Sequence, residues 1–183
     1  MLSVNGARLL ERINELGAIG KDEEGRRTRL AASDTEKQGR DKVVSWIEDA
    51  GLKVVVDRIG NIFGIWETEE NKDKKPLMIG SHIDTVINAG QYDGCLGEIG
   101  AIEVIRTLKE AGRQSERPIV ACAFTNEEGV RYSPDMMGSL VYAGGLSVDE
   151  VLKTVGTDGT ILGEELKRIG YAGSVEPGFL QPE

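Results

Sequence analysis

The 183-residue chain can form one domain of ordinary size with its own core, and its 39% hydrophobic and 29% charged residues are typical of soluble globular proteins rather than disordered or membrane proteins. Acidic residues outnumber basic residues by 31 to 22, which gives a formal net charge of −9. Because such a surface repels a phosphate backbone, this charge argues against nucleic-acid binding and favours metal cations as partners.

The first third of the chain predicts two amphipathic helices. Apolar residues at helical spacing predict a helix over Ser3–Gly17, and the charged, glycine-punctuated residues 18–32 predict a loop. Ser33 and Glu36 have the spacing of a capping box, with Ser33 as the N-cap. The helix that they open ends at Gly51, since glycine is the usual residue just past a helix C-terminus.

The next segments predict the core of an α/β domain. Residues 53–57 and 61–67 predict the two strands of a hairpin. Residues 76–82 and 118–125 are short continuous apolar runs typical of buried strands, and residues 94–112 between them predict an apolar helix. The order helix, hairpin, strand, helix, strand predicts an α/β layered domain with a central mixed β-sheet flanked by helices.

The pattern changes after Asn126. Residues 127–146 are rich in glycine and methionine, with little clean periodicity, so they predict no regular element. Residues 160–169 predict one more short helix. The last residues, GYAGSVEPGFLQPE, carry no pattern that predicts a further helix or strand.

Three clusters of metal-binding side chains lie at strand ends or before a helix, where open α/β sheets form their sites. His82 and Asp84 are two residues apart on extended backbone and project to the same side, so the carboxylate can accept the second N–H of the imidazole. Asp93 lies between glycines before the long helix, and there it could bridge ions. Glu127 and Glu128 end a buried strand and point in different directions, so one could bind metal while the other accepts a proton from water.

Each cluster also has a simpler structural interpretation. His82, the only histidine, could be a core residue with satisfied hydrogen bonds, Asp93 a helix N-cap, and the Glu127–Glu128 pair a solvated acidic turn. The coincidence of three clusters in one short domain favours the functional interpretation. Nitrogen and oxygen ligands without a thiolate cluster suit two divalent ions, Zn²⁺ or Mn²⁺ with Co²⁺ or Ni²⁺ as alternatives, and such a pair can hydrolyse amide-type bonds.

The segments GSHIDT, GQYDGCLG and FTNEEGVRYSPDMMGSLVYAGGL resemble the hydantoinase/carbamoylase branch of the dinuclear metallo-aminoacylase and carboxypeptidase superfamily. This branch includes N-carbamoyl-L-amino acid hydrolases, β-ureidopropionases and allantoate amidohydrolases. The resemblance extends from the first helix through EELKRIGYAG. It implies a zinc-exopeptidase-like fold and a metal-dependent amidohydrolase that acts on a linear ureido or amide bond, with an N-carbamoyl-L-amino acid converted to the L-amino acid, CO₂ and ammonia.

The resemblance also implies a role for each candidate residue. His82 would ligate one metal ion, and Asp84 would orient the His82 ring without contacting the metal. Asp93 would bridge the two ions, and Glu128 would ligate the other. Glu127 would be the general base that takes a proton from the bridging water and hands it to the leaving amine.

Two departures from the family pattern concern the number of metal ligands and the length of the chain. Relatives use two further histidines as metal ligands, whereas this chain has only His82. Relatives also continue into a lid and dimerisation domain and then return to complete the catalytic sheet. We therefore expect residues 1–183 to be the N-terminal part of the catalytic domain, with the lid/dimerisation domain and the C-terminal catalytic segment absent, and we expect the full-length protein to be a homodimer.

Three alternatives stay open at this point. The first is an aminoacylase or dipeptidase of the same superfamily. The second is a non-catalytic truncated fragment that keeps the fold without the chemistry, and the single histidine favours it for the isolated chain. The third is an unrelated α/β domain. In the leading interpretation the partner is a small-molecule ureido or amide substrate, and neither nucleic acid nor membrane is a partner.

The cysteines and the N-terminus bear on the compartment. Cys95 and Cys122 are too few for a disulfide framework, and we expect both to be buried free thiols. Charged residues between Arg8 and Glu15 interrupt the apolar run that a signal peptide requires, and no apolar stretch of the sequence is long enough to span a bilayer. The sequence thus predicts a cytoplasmic protein.

Overall fold

A computed structural model describes residues 2–181. Its strands are β1 (Lys53–Val56), β2 (Ile62–Trp66), β3 (Leu77–His82) and β4 (Ile119–Phe124). Its helices are α1 (Gly6–Ala18), α2 (Asp34–Asp49), α3 (Cys95–Glu110), α4 (Met137–Tyr142), α5 (Val148–Val151) and α6 (Leu162–Arg168). The sheet has the strand order β1-β2-β4-β3, in which β1–β2 and β2–β4 are antiparallel and β3–β4 is parallel. The mixed α/β sheet that the sequence predicts is therefore confirmed.

The first two helices begin at side-chain caps. The Ser33 hydroxyl accepts the Glu36 backbone N–H at 3.1 Å, which confirms the predicted N-cap of α2. The Glu36 carboxylate accepts the backbone N–H of Ala32 rather than that of the cap residue Ser33. The second hydrogen bond of the predicted capping box is therefore made one residue earlier in the chain. Helix α1 begins at Gly6, later than predicted, because the Asn5 side chain caps it by accepting the Arg8 N–H.

The sheet packs against helices on one face and against the C-terminal segment on the other. Helix α2 lies on β1 and β2, α3 lies on β3 and β4, and α1 packs on α3. Ala121 and Ala123 belong to the core that includes the helices, whereas Phe63 and Val120 on the opposite face pack with Phe179 of the C-terminal segment and with Tyr142 at the end of α4. The alternation follows the two-residue period of side chains along a strand. Cys95 and Cys122 are buried free thiols, as expected.

The parallel pair β3–β4 carries the candidate site at its C-terminal edge. In the register of the pair, His82 lies opposite Phe124. A Cβ at Gly80 would stand 1.9 Å from the carbonyl oxygen of Cys122, so this position accepts only glycine. The prediction that residues 76–82 form a strand is confirmed, but the prediction that this strand is buried is wrong, because within residues 2–181 β3 pairs only with β4 and leaves Leu77 49% exposed.

Two short helices were not predicted. Helix α4 begins after Met136, whose backbone is left-handed, and no side chain caps it. Gly138 packs so closely that a Cβ there would stand 2.3 Å from Asn61 Oδ1. Helix α5 has only one turn, which is too short for a periodic signal. Within residues 2–181, none of the helices has the length and apolar character needed to cross a membrane.

Candidate metal centre

His82 ends strand β3 and is only 5% exposed. Its Nδ1 lies 3.0 Å from the backbone carbonyl oxygen of Asp84, which can only accept, and 3.6 Å from the Asp84 carboxylate. The sequence prediction gave this contact to the carboxylate, whereas the carbonyl is nearer because the chain turns at the strand end. With Nδ1 directed to Asp84, Nε2 faces the carboxylates of Asp93 at 3.6 Å and Glu127 at 3.4 Å.

The Asp84 carboxylate has a role that sequence reasoning missed. It is 2% exposed and accepts the backbone N–H of Glu127 at 3.2 Å and that of Glu128 at 3.1 Å. A carboxylate bound by two amide donors fixes the backbone that carries them. Asp84 therefore ties the end of β3 to the acidic loop that follows β4. The sequence signal was only its position two residues after His82.

Asp93 is not the helix cap that the sequence allowed. Helix α3 starts one residue later, with Gly94 as N-cap at φ +64° and no side-chain cap. The Asp93 side chain is 78% exposed, and its Oδ1 turns towards His82. A Cβ at Gly94 would stand 2.6 Å from His82 Nε2, so the glycine provides both the unusual backbone angle and the space for the ring.

The loop after β4 presents Glu127 and Glu128 through a left-handed turn. Asn126 has φ +53°, and its buried side-chain amide donates to the carbonyl oxygens of Tyr132 at 2.7 Å and Pro134 at 3.1 Å. The carbonyl of Glu127 accepts the N–H of Met136 at 2.7 Å. Asparagine adopts this conformation at low cost, which explains its place before the acidic pair.

Ligand atoms of His82, Asp93 and Glu128 all lie within 4.8 Å of one another. No other group of three histidine, cysteine, aspartate or glutamate side chains in residues 2–181 comes together in this way. One nitrogen and two carboxylate oxygens are ligands that suit zinc or manganese. The residues present therefore fit one divalent cation.

The charges of the centre also favour a cation. Burial lowers the pKa of His82, but the neighbouring carboxylates of Asp84 and Glu127 outweigh this effect and raise it to about 9. Burial raises the pKa of Glu128, and the negative charges of Asp93, Asp84 and Glu127 raise it further. Several carboxylates that face one imidazole repel one another, and a bound cation relieves that repulsion.

Similarity to known proteins extends over almost the whole chain. The model of peptidase family M28 matches residues 61–173. The N-carbamoyl-L-amino-acid amidohydrolase of Rhizobium meliloti is 37% identical over 175 residues, which are 96% of this chain and 42% of that protein. The N-carbamoyl-L-amino acid amidohydrolase of Geobacillus stearothermophilus is 40% identical over 167 residues, which are 91% of this chain and 40% of that protein.

Solved structures give the same result for the fold. A hydantoinase/carbamoylase family amidase from Burkholderia multivorans superimposes on this chain with a TM-score of 0.95 at 40% identity. The match covers 100% of this chain and 44% of the amidase. A hydantoinase/carbamoylase family amidase from Burkholderia ambifaria has a TM-score of 0.93 at 37% identity, and the match covers 97% of this chain and 44% of that amidase. The chain thus spans less than half the length of these relatives. It belongs to peptidase family M28, and it shares its fold with the amidases of the hydantoinase/carbamoylase family.

Proposed function

We propose that residues 1–183 form the N-terminal part of the catalytic domain of a metal-dependent amidohydrolase that cleaves a linear ureido or amide C–N bond. An N-carbamoyl-L-amino acid is the substrate that we favour, because relatives at 37% and 40% identity are named for that activity. The observation that carries the proposal is the convergence of His82, Asp93 and Glu128 within 4.8 Å, with Glu127 beside them.

Three side chains would hold the metal. His82, Asp93 and Glu128 would ligate zinc or manganese, and Asp93 is the best placed to bridge a second ion because its carboxylate is exposed. When bound, a divalent cation would polarise the scissile carbonyl and lower the pKa of a water molecule to about 7. A second ion would need ligands beyond these three, which we assign to the remainder of the complete enzyme, together with its lid and dimer contacts.

Glu127 would move the proton. Its carboxylate lies beside the ligand group rather than within it, at 3.4 Å from His82 Nε2, and one third of the side chain is exposed to the open edge of the sheet. There it would accept a proton from the attacking water and deliver it to the leaving nitrogen. Asp84 would hold the backbone amides of Glu127 and Glu128, and this would fix the position of the general base relative to the metal ligand.

Two variants of the complete enzyme test this division of roles. Glu127→Gln should abolish ammonia release from an N-carbamoyl-L-amino acid while the protein keeps its metal, whereas Glu128→Gln should lose both. Metal content is measured by elemental analysis and turnover by ammonia release. Equal metal loss in the two variants would show that the assigned roles are wrong.

A second candidate is an aminoacylase or dipeptidase activity, which the match to a peptidase family favours. Parallel assays of an N-carbamoyl-L-amino acid, an N-acyl amino acid and a dipeptide distinguish the two candidates. Turnover of the dipeptide alone would reject the ureido substrate. If the complete enzyme takes up no divalent metal and hydrolyses none of the three compounds, the amidohydrolase proposal fails altogether.

A further inference from the structure

We propose that Asn61 is a positioning residue that holds the loop bearing Glu127 and Glu128, an inference that rests on the function proposed above. Asn61 lies just before strand β2 and is completely buried. Its Oδ1 accepts the backbone N–H of Thr125 at 2.8 Å. Its Nδ2 donates to the Asp57 carboxylate at 2.9 Å and to the Gly138 carbonyl at 3.1 Å.

These contacts close the two ends of the loop against each other. Thr125 directly precedes the loop and Gly138 lies just after it, in the first turn of α4. The Gly138 N–H donates to the Thr125 carbonyl at 2.8 Å, so Thr125 is bonded through both of its backbone groups. Because Asn61 bonds to both Thr125 and Gly138, it sets the separation of the two ends between which Glu127 and Glu128 project.

Asp57 fixes the orientation of the Asn61 amide. Its carboxylate accepts both the backbone N–H of Asn61 and the side-chain Nδ2, each at 2.9 Å. The donor end of the amide must therefore face Asp57, and the acceptor end faces Thr125. A Cβ at Gly138 would stand only 2.3 Å from Asn61 Oδ1, so residue 138 must be glycine for the amide to lie between the two loop ends.

A second buried asparagine offers a matched control. Asn71 is 3% exposed, its Oδ1 accepts the Thr68 N–H at 2.8 Å, and its Nδ2 donates to the Ser115 carbonyl at 3.1 Å. It also joins two separate segments, but it lies in the connection before β3, at the opposite end of the parallel pair from the acidic loop. Asn61→Ala and Asn71→Ala each remove a buried amide, and only the first removes one that holds the loop.

The first measurement is amide hydrogen exchange in the metal-free chain. The exchange rate of the Glu127 and Glu128 amides should be about tenfold or more higher in Asn61→Ala than in Asn71→Ala. The reason is that the loss of the buried hydrogen bonds of Asn61 frees one end of the loop. The second is a competition titration with Zn²⁺, in which Asn61→Ala should bind about tenfold more weakly and Asn71→Ala should match the unaltered chain.

The double variant Asp57→Asn with Asn61→Asp keeps the inference falsifiable if Asn61→Ala does not fold. It retains an acceptor for the Thr125 N–H but places a carboxylate oxygen against the Gly138 carbonyl, to which Nδ2 donates in the unaltered chain, so exchange at Glu127 and Glu128 should rise above that of the unaltered chain. Unchanged exchange in Asn61→Ala or in the folded double variant, or an equal rise in Asn71→Ala, would overturn the inference. If the exchange results are as expected but the unaltered chain binds no Zn²⁺, the positioning role stands and the metal proposal fails.

Discussion

Gly94 lies against the imidazole of His82 so closely that a Cβ on residue 94 would stand 2.6 Å from both Cε1 and Nε2 of the ring. The same residue has φ +64°, a conformation that side chains other than glycine rarely adopt. Because Gly94 directly follows Asp93, its conformation also determines how that carboxylate approaches His82.

Replacing Gly94 by alanine should therefore disturb both the backbone and the ring. We expect the free energy of unfolding to fall by about 1–3 kcal/mol from backbone strain, and metal binding to weaken because the imidazole must move. Urea unfolding and a Zn²⁺ titration measure the two effects. Gly112→Ala is the control, because Gly112 has φ +63° but no atom within 4 Å of the added Cβ. Equal loss of Zn²⁺ affinity in both variants would contradict the steric role of Gly94.

Asp84→Asn should loosen the acidic loop. One oxygen of the carboxylate becomes an NH₂ group that faces a backbone N–H, so either Glu127 or Glu128 loses its acceptor. We expect a loss of about 1–3 kcal/mol in the free energy of unfolding, together with faster exchange of these two amides. The comparison is Asp22→Asn, since Asp22 also accepts a backbone N–H, that of Arg26, but is exposed. A smaller loss for Asp84→Asn than for Asp22→Asn would refute the prediction.

Glu98 on helix α3 is a buried carboxyl group without a hydrogen-bond partner for either oxygen among residues 2–181. Burial raises its pKa from 4.5 to about 8, and the nearby backbone amide of Ser81 offsets only part of this effect. In the folded protein this group keeps its proton at pH values where the unfolded chain has released it. Stability should therefore fall as the pH rises from 4.5 and level off above about 8.

Glu98→Gln removes this dependence. Relative to the unaltered chain, the variant should gain stability as the pH rises through that interval, by at most about 1.4 kcal/mol per pH unit. The measurement is urea unfolding at several pH values. Glu103→Gln on the same helix is the contrast, because Glu103 is paired with Arg8, and despite burial its pKa is lowered. That variant should lose stability at neutral pH, and a gain would refute this assignment of charges.

The sequence was most informative where a residue imposes its own local geometry. Ser33 predicted a cap, and alternating or continuous apolar runs predicted the strands, because these signals depend on neighbours within a few residues. The position of His82 at a strand end followed from the same pattern. Parallel pairing with β4 then brought the acidic loop beside it, as expected for the carboxyl edge of such a sheet.

Contacts between distant segments were not predictable in this way. Helix α4 depends on the left-handed Met136 and on the packing of Gly138 against Asn61, and neither leaves a periodic signal. The carboxylate of Asp84 binds amides 43 and 44 residues away, a pairing that exists only once the sheet has formed. The sequence allows Asp93 as a helix cap because the neighbouring Gly94, which holds that position in the structure, has no side chain that could indicate it.

The close contact of Gly80 with the Cys122 backbone permits only one alignment of β3 and β4. A slip by one residue would place Ser81, with its Cβ, where only a hydrogen atom fits, and would turn His82 towards the opposite face of the sheet. A single-residue deletion inside β3 would thus remove the imidazole from the centre even if the fold survived. A deletion in the exposed polar stretch at 72–75, before β3, would leave this alignment and the centre in place.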